Sequence, residues 1–260
     1  MNLARAFLPA LVLMNACGPF HRATSRHDVY LIDGTASVVQ DSLDQANKSI
    51  EKGAEQFHRG DCITVLPIMS DSEAIPSDQI VRMCVPTEPQ PYDQDIQDFR
   101  SALHEALAAQ RRQLTSHKAS RTDILGSLRL VDQEFSLDHP NVEKTLVIFS
   151  DFVEEDRTWN FIKAPELATP EKAERLANCL AAAFASSGSH VQPDWSSVRV
   201  FLGSLQSNEI PNMTAQRREA VHRFWTAYFM SLHTQPFFAT DGPGMSLKFL
   251  TRKECARGTC

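Results

Sequence analysis

Three short segments, far apart in the chain, carry hydroxyl and carboxylate side chains where a strand should end or a helix begin. They are Asp33-Gly-Thr35-Ala-Ser37, Thr122-Asp123 and Ser150-Asp151. Hard cations such as Mg²⁺ prefer oxygen ligands from a few carboxylates and hydroxyls, with water completing the shell. The chemistry that these residue types suit is therefore the binding of a divalent cation.

The elements that must position these segments alternate between strand and helix. Apolar strands are predicted at 28–33, 61–69, 79–85, 144–150 and 198–203, and amphipathic helices near 34–58, 96–116, 124–135 and 214–232. A further helix opens at Thr169-Pro170-Glu171. This alternation predicts an α/β fold, doubly wound, with a mostly parallel central sheet, one antiparallel edge strand and helices on both faces. In such sheets a ligand binds at the carboxyl ends of the strands. No convincing candidate for a sixth strand is found.

Over residues 28–232 the chain resembles the von Willebrand factor A (vWA) domain family. That family's metal-ion-dependent adhesion site has an Asp-x-Ser-x-Ser loop, a distant threonine and an aspartate that ends a later strand. The resemblance implies metal ligands at matching positions of this chain, which are Asp33, Thr35, Ser37, Thr122 and Asp151. It also implies Mg²⁺, or Mn²⁺ or Ca²⁺, and an open coordination position that an acidic side chain of a protein partner fills. The expected function is protein binding, not catalysis.

Two residues depart from the family pattern. Thr35 stands where serine is usual, and Phe152 follows Asp151 where glycine is usual. Each polar residue also has a structural alternative, since Ser37 could cap the first helix and Thr122 the later one, with Asp123 interacting with the helix dipole. The competing hypothesis is the same fold without a metal, serving as a scaffold in an envelope assembly.

An enzymatic alternative comes from Ile32-Asp33-Gly34-Thr35, which overlaps the Asp-x-Asp-Gly-Thr motif of phosphatase-type hydrolases. In those enzymes the first aspartate of the motif is the nucleophile, and here that position is Leu31. No Gly-rich phosphate loop follows any predicted strand. The sequence therefore favours a protein that is not an enzyme.

The N-terminus resembles a targeting segment. A short positive region and a brief apolar run end at Leu13-Met14-Asn15-Ala16-Cys17, which is similar to the cleavage site of bacterial lipoproteins. We predict a signal peptide at 1–16, lipidation of Cys17, a tether at 17–27, a vWA-like domain at 28–235 and a tail at 236–260. These features predict a bacterial envelope location with a lipid anchor as the membrane contact. The alternative is a cytoplasmic chain with an apolar first helix.

The remaining cysteines suit an oxidising compartment. Cys62 opens one predicted strand and Cys84 closes the next, so antiparallel pairing would allow a disulfide between them. Two buried thiols are the alternative. The pairing of Cys179, Cys255 and Cys260 stays open.

Composition limits the remaining classes. The chain has 260 residues, 42% of them hydrophobic, which suits one domain with appendages. Its formal charge of −6 argues against a nucleic-acid partner. After Asp151, Trp159 and Phe161 could form a partner-contacting rim or could fold back over the domain.

Overall fold

The computed structural model describes residues 24–88, 90–116, 118–187 and 195–238. The predicted signal peptide, Cys17, Cys255 and Cys260 lie outside these residues. The strands are β1 (Arg26–Asp33), β2 (Cys62–Ile68), β3 (Val81–Cys84), β4 (Glu143–Ser150), β5 (Val198–Ser204) and β6 (Pro236–Phe238). The helices are α1 (Gln40–Ala54), α2 (Gln94–Ser116), α3 (Ile124–Ser136), α4 (Pro170–Ser187) and α5 (Ala215–Ser231). None of the described helices combines the length and apolar character needed to cross a membrane.

The six strands form one sheet in the order β3-β2-β1-β4-β5-β6. Every neighbouring pair is parallel except β2 and β3, which pair antiparallel at one edge. Chain order therefore reverses between β1 and β4, and this switch point is where ligands bind in doubly wound sheets. The predicted fold class is confirmed.

Helices cover both faces of the sheet because the central strands are apolar on both sides. On one face, α1 and α2 pack against residues such as Tyr30, Ile32 and Val65. On the other face, α3, α4 and α5 pack against residues such as Leu31 and Ile148. The two apolar clusters fix the sheet between two helical layers, so the carboxyl ends of β1 and β4 are held side by side.

Two elements differ from the sequence expectation. The helix expected directly after Gly34 begins only at Gln40, because Val39 in extended conformation is its N-cap. The intervening residues 34–39 form the loop that carries Thr35 and Ser37. A sixth strand, for which the sequence offered no candidate, is formed by three residues that pair with β5 within what was expected to be a C-terminal tail.

A disulfide joins Cys62 and Cys84, as one of the two sequence alternatives proposed. The two residues are direct partners in the antiparallel pairing of β2 and β3. The bond therefore ties the edge strand to the sheet at the end remote from the β3–β2 connection, closing a loop with a sequence separation of 22 residues.

Removing this bond with the double substitution Cys62→Ser and Cys84→Ser should lower the free energy of unfolding by about 3 kcal/mol, because the unfolded chain regains its loop entropy. Urea unfolding under non-reducing conditions measures the change. Cys179→Ser is the matched control, because Cys179 is an exposed free thiol. Equal unfolding midpoints for the double variant and the parent would contradict the expectation.

Candidate functional site

The parallel pairing of β1 and β4 brings two of the predicted residues together. Ile32 pairs with Phe149, so the next residues along, Asp33 and Ser150, end their strands side by side. The Ser150 hydroxyl donates a hydrogen bond to Asp33 Oδ2 at 2.7 Å. Asp151 follows directly, and its carboxylate interacts electrostatically with that of Asp33. Both carboxylates are buried at the sheet edge.

The loop after β1 folds its hydroxyls around Asp33. Asp33 Oδ1 accepts hydrogen bonds from the Thr35 amide at 3.0 Å and the Thr35 hydroxyl at 2.6 Å. The oxygens Thr35 Oγ1 and Ser37 Oγ lie 3.0 Å apart. Because Thr35 donates its proton to Asp33, the lone pairs of its hydroxyl oxygen are available to another partner. The threonine in place of serine keeps the oxygen that the family pattern requires.

Thr122 reaches the same point from the opposite side. Its Oγ1 lies 3.4 Å from Thr35 Oγ1. Reciprocal backbone hydrogen bonds with Glu155 hold the Thr122 backbone beside the loop that follows β4. The cap of α3 is Asp123, whose side chain accepts from the Gly126 amide. The capping alternatives for Ser37 and Thr122 are therefore wrong, since α1 and α3 are capped by Val39 and Asp123.

The site concentrates negative charge without a compensating side chain. No lysine or arginine of the described residues forms an ion pair with Asp33 or Asp151. Burial, together with the charge of Asp33, raises the pKa of Asp151 to about 7. Burial also raises the pKa of Asp33, although hydrogen bonds from Ser150 and Thr35 act in the opposite direction. Asp151 Oδ2 is buried and has no hydrogen bond of ordinary geometry among the described residues, although the nearby Ser207 hydroxyl acts to lower the pKa of Asp151.

Four further residues belong to this edge and were not among the metal ligands predicted from the sequence. Ser150 orients Asp33, and Glu155 holds Thr122. After β5, Ser207 is buried in a segment whose backbone bonds to the first loop, since the Asn208 amide donates to the Ser37 carbonyl. Burial and the charges of Glu155 and Asp33 raise the pKa of Glu209. The signal was available, because Ser204 to Glu209 is another polar run at a strand end.

Phe152 occupies the glycine position with a glycine-like backbone. Its φ is +63°, in the left-handed region that residues with a Cβ rarely adopt. The ring is buried and packs edge-on against Trp225, with ring centroids 6.3 Å apart. Trp225 Nε1 donates to the Phe152 carbonyl at 3.0 Å. These contacts hold a turn that glycine would adopt without strain. Phe152 therefore keeps a backbone conformation that suits the glycine usual at this position.

The segment after Asp151 folds back over the domain and does not form an exposed rim. Phe161 is fully buried against Phe224, with ring centroids 4.7 Å apart, and Trp159 is half-buried. Glu154 is also fully buried, and burial together with the charges of Asp123 and Asp156 raises its pKa well above the usual value. The rim alternative is therefore wrong for Phe161.

The donor set fits a hard divalent cation. Three neighbouring hydroxyls and two buried carboxylates lie at one edge, and one carboxylate oxygen has no partner. Thr35, Ser37, Thr122 and Asp151 would hold the cation. Asp33 accepts hydrogen bonds on both of its oxygens, so it would contribute mainly charge and the orientation of Thr35. A bound cation would supply the positive charge that the described residues lack here.

Comparisons with solved structures return several vWA domains at low identity. A von Willebrand factor type A protein from Catenulispora acidiphila is 14% identical, with a TM-score of 0.49, and the match covers 87% of this chain and 41% of that one. An aerotolerance-related membrane protein from Bacteroides fragilis is 12% identical, with a TM-score of 0.49, and the match covers 87% of this chain and 96% of that one. The manganese-loaded TRAP protein of Plasmodium vivax is 11% identical, with a TM-score of 0.36, over 76% of this chain and 62% of that one.

No family model and no curated protein matches the chain. The similarities to solved structures transfer no residue role and no function to it. The vWA-like fold is read from the strand order, from the reversal between β1 and β4, and from the three polar segments that meet there. The class of protein that fold and site define is a vWA-like domain.

Asp151→Asn should stabilise the protein in EDTA, and by more at pH 8 than at pH 5. The native pKa of about 7 lies above the usual value of 3.8, so the native state holds this proton more tightly than the unfolded chain does. Stability from this group is therefore present at low pH and is lost as pH rises from about 4 to 7. Each pKa unit corresponds to about 1.4 kcal/mol, and about two units of this loss lie between pH 5 and pH 7, so the gain at pH 8 should exceed the gain at pH 5 by on the order of 3 kcal/mol.

Urea unfolding of both proteins at the two pH values measures this gain. Asp98 is an exposed aspartate on α2, so Asp98→Asn is the control and should change stability by the same small amount at both pH values. An Asp151→Asn protein that is destabilised by the same amount at pH 5 and pH 8 would show that the carboxylate is not the source of the pH dependence.

At Phe152, glycine should be a better replacement than alanine by about 1 kcal/mol, because alanine keeps the cost of the left-handed backbone. Both variants lose the buried ring and should be less stable than the parent by about 3 kcal/mol or more. Chemical denaturation of the two variants measures the difference. Phe161 is also buried but has no positive φ, so at this position the alanine variant should be more stable than the glycine variant. If the alanine variant were more stable than the glycine variant at both positions, the backbone strain assigned to Phe152 would be contradicted.

Proposed function

We propose that this chain is an envelope-anchored, vWA-like protein-binding module that uses a divalent cation at the sheet edge to engage a protein partner. The observation that carries the proposal is the pair of buried carboxylates, Asp33 and Asp151, which lie beside three hydroxyls and have no described cationic partner. Keeping charge buried in this way is costly unless something compensates it. A divalent cation, Mg²⁺ or alternatively Mn²⁺ or Ca²⁺, would compensate it.

The hydroxyls explain how the site would accept a cation without rebuilding. Thr35 directs its proton to Asp33, and its oxygen lies within 3.5 Å of those of Ser37 and Thr122. These neutral ligands leave the cation with much of its charge. Because Thr35, Ser37, Thr122 and Asp151 would fill only part of a six-oxygen shell, a coordination position would stay open. An acidic side chain from another protein is the ligand that suits such a position.

The surroundings would make partner binding depend on the cation. The charge of Glu155 acts to raise the pKa of Glu209, and the charge of Glu209 acts to raise the pKa of Asp151. Glu209 is only half-buried. Without a cation this edge would repel an acidic side chain. With one, the local charge becomes less negative and a direct bond to the partner is available.

The envelope location is part of the same proposal. The Cys62–Cys84 disulfide is supporting evidence, because disulfides persist in oxidising compartments such as the bacterial periplasm. Lipidation at Cys17 after removal of residues 1–16 is supported by the sequence pattern alone. A lipid anchor would place the domain at a membrane surface.

Two alternatives remain as candidates. A metal-free vWA scaffold would share the fold, but the cost of burying the Asp151 carboxylate would then have no compensation. A phosphohydrolase is less well supported, because Leu31 stands at the nucleophile position of that class and is buried in the core of the sheet.

The proposal predicts that the purified protein captures a partner from envelope extract in Mg²⁺ and not in EDTA. Ser37→Ala should lower Mg²⁺ affinity by at least about tenfold and should reduce capture in parallel, since it removes one ligand oxygen and leaves Asp33 with all its hydrogen bonds. Isothermal titration calorimetry measures the first effect and quantitative mass spectrometry of the captured fraction the second.

Glu105→Gln, an exposed acid on α2, is the control and should match the parent in both measurements. Equal Mg²⁺ heats for the parent, Ser37→Ala and Asp151→Asn would favour the metal-free scaffold. Capture that persists unchanged in EDTA would show that the partner is bound elsewhere. Phosphatase activity that is abolished by Asp33→Asn would support the enzymatic alternative.

A further inference from the structure

A second group of carboxylates lies behind the first site. Asp123, Glu154 and Asp156 each place one carboxylate oxygen within 4.8 Å of the others. Asp123 and Asp156 line a cavity of about 550 Å³ between α3, α4 and the segment after β4. This cavity is separate from the hydroxyl network of Thr35, Ser37 and Thr122.

Glu154 is the unexplained member of this group. Its side chain is fully buried, and Oε2 accepts hydrogen bonds from the amides of Ile124 and Leu125, at the start of α3. Its other oxygen, Oε1, is buried and has no hydrogen-bond partner in the part of the chain that the structure describes. A buried carboxylate oxygen without a partner is costly, and native structures normally provide one. The other members of the group, Asp123 and Asp156, are also acidic. Their ionised carboxylates cannot act as partners of Glu154 Oε1 unless a cation lies between them.

We propose that Asp123, Glu154 and Asp156 form a second cation site, selective for Ca²⁺. Three oxygens that all lie within 4.8 Å of one another can surround a point no more than about 2.8 Å from each, so at most a small contraction would bring them to the 2.3–2.6 Å of Ca²⁺ ligands. Mg²⁺ needs oxygens at 2.0–2.1 Å in a nearly ideal octahedron, which fits this arrangement less well. The adjoining cavity leaves room for water to complete a shell of six to eight oxygens.

Backbone amides already hold the three carboxylates in place, and because Asp123 accepts on both of its oxygens, the oxygen that binds the ion would share its lone pairs with an amide. Asp123 accepts from the amides of Gly126 and Ser72, and Asp156 Oδ1 accepts from those of Thr158 and Trp159. The carboxylates therefore need little rearrangement to bind an ion. Two arginines, Arg129 and Arg157, also line the cavity, and Arg157 is 3.7 Å from Asp71. Neither makes a hydrogen bond to Glu154 Oε1.

The location gives this ion a structural consequence. Asp123 immediately follows Thr122, while Glu154 and Asp156 lie on the segment that leads away from Asp151. A Ca²⁺ bound here would tie together the two segments that present Thr122 and Asp151 to the first site. Ca²⁺ would therefore stabilise the sheet edge without contacting the partner.

The test is a Ca²⁺ titration of the full chain carrying Asp151→Asn, which weakens the first site, with and without Glu154→Gln. The Asp151→Asn protein should bind one Ca²⁺ by calorimetry and should gain thermal stability on binding it. Adding Glu154→Gln should lower Ca²⁺ affinity by tenfold or more and remove most of the thermal shift. Glu166→Gln, an exposed acid before α4, is the matched control and should leave both unchanged.

Asp156→Asn is a second variant in case Glu154→Gln does not fold, since Asp156 is half-buried and an asparagine keeps its Oδ1 acceptor. It should lower Ca²⁺ affinity to a similar extent while leaving the circular dichroism spectrum unchanged. No Ca²⁺ binding by the Asp151→Asn protein, or equal affinity with and without these substitutions, would overturn the proposal. Because the first site is weakened throughout, these outcomes do not depend on whether that site binds Mg²⁺ in the parent.

Discussion

The parallel pairing of β1 and β4 forces two carboxylates, Asp33 and Asp151, to share one buried corner of the sheet. The pairing itself is determined by the apolar strands and by the helices on both faces, so the charges cannot separate without disrupting the core. Burial first, and the nearby charge of Asp33 second, favour protonation, which is why the pKa of Asp151 rises to about 7. The remaining features of this edge either orient these carboxylates or keep the surrounding loops in place.

The loops at the edge are held by a chain of hydroxyl contacts and by one strained turn. Ser150 and Thr35 donate hydrogen bonds to Asp33, and the Thr35 hydroxyl contacts those of Ser37 and Thr122. The segment that contains Ser207 is hydrogen-bonded to the first loop. Phe152 keeps a left-handed backbone because its ring and its carbonyl are both held by Trp225. A site held in this way by buried charge and strain lowers the stability of the fold and keeps its binding groups preorganised.

The parts of this arrangement that follow from periodicity and strand-end chemistry could be read from the sequence. The alternating elements predicted the doubly wound sheet, and the polar residues after β1 and β4 predicted where Asp33 and Asp151 would meet. The position of each cysteine at a strand end made the Cys62–Cys84 disulfide one of two alternatives, and the direct pairing of the two residues in the sheet decides for it. These features depend on local pattern, which a single sequence carries.

The remainder depends on tertiary contacts that leave no periodic signal. Strand β6 has three residues, too few for an alternating pattern, and pairs with the sheet only because α5 ends beside β5. Ser207 and Glu209 join the site because a loop folds against Ser37, and the burial of Glu154 follows from the return of its segment over α3. The start of α1 at Gln40 was also missed, because residues 34–39 are compatible with a helix but form the loop that carries Thr35 and Ser37.

The most direct test of the central claim, that the buried charge at this edge is there to bind a cation, is crystallographic. A crystal of the protein grown with Mn²⁺ would be measured at the manganese absorption edge, and an anomalous difference map would locate the ion. The account predicts a peak within bonding distance of the hydroxyl oxygens of Thr35 and Ser37, beside Asp151. A map without a peak there, at saturating Mn²⁺ and with Asp151 still unpartnered, would contradict it.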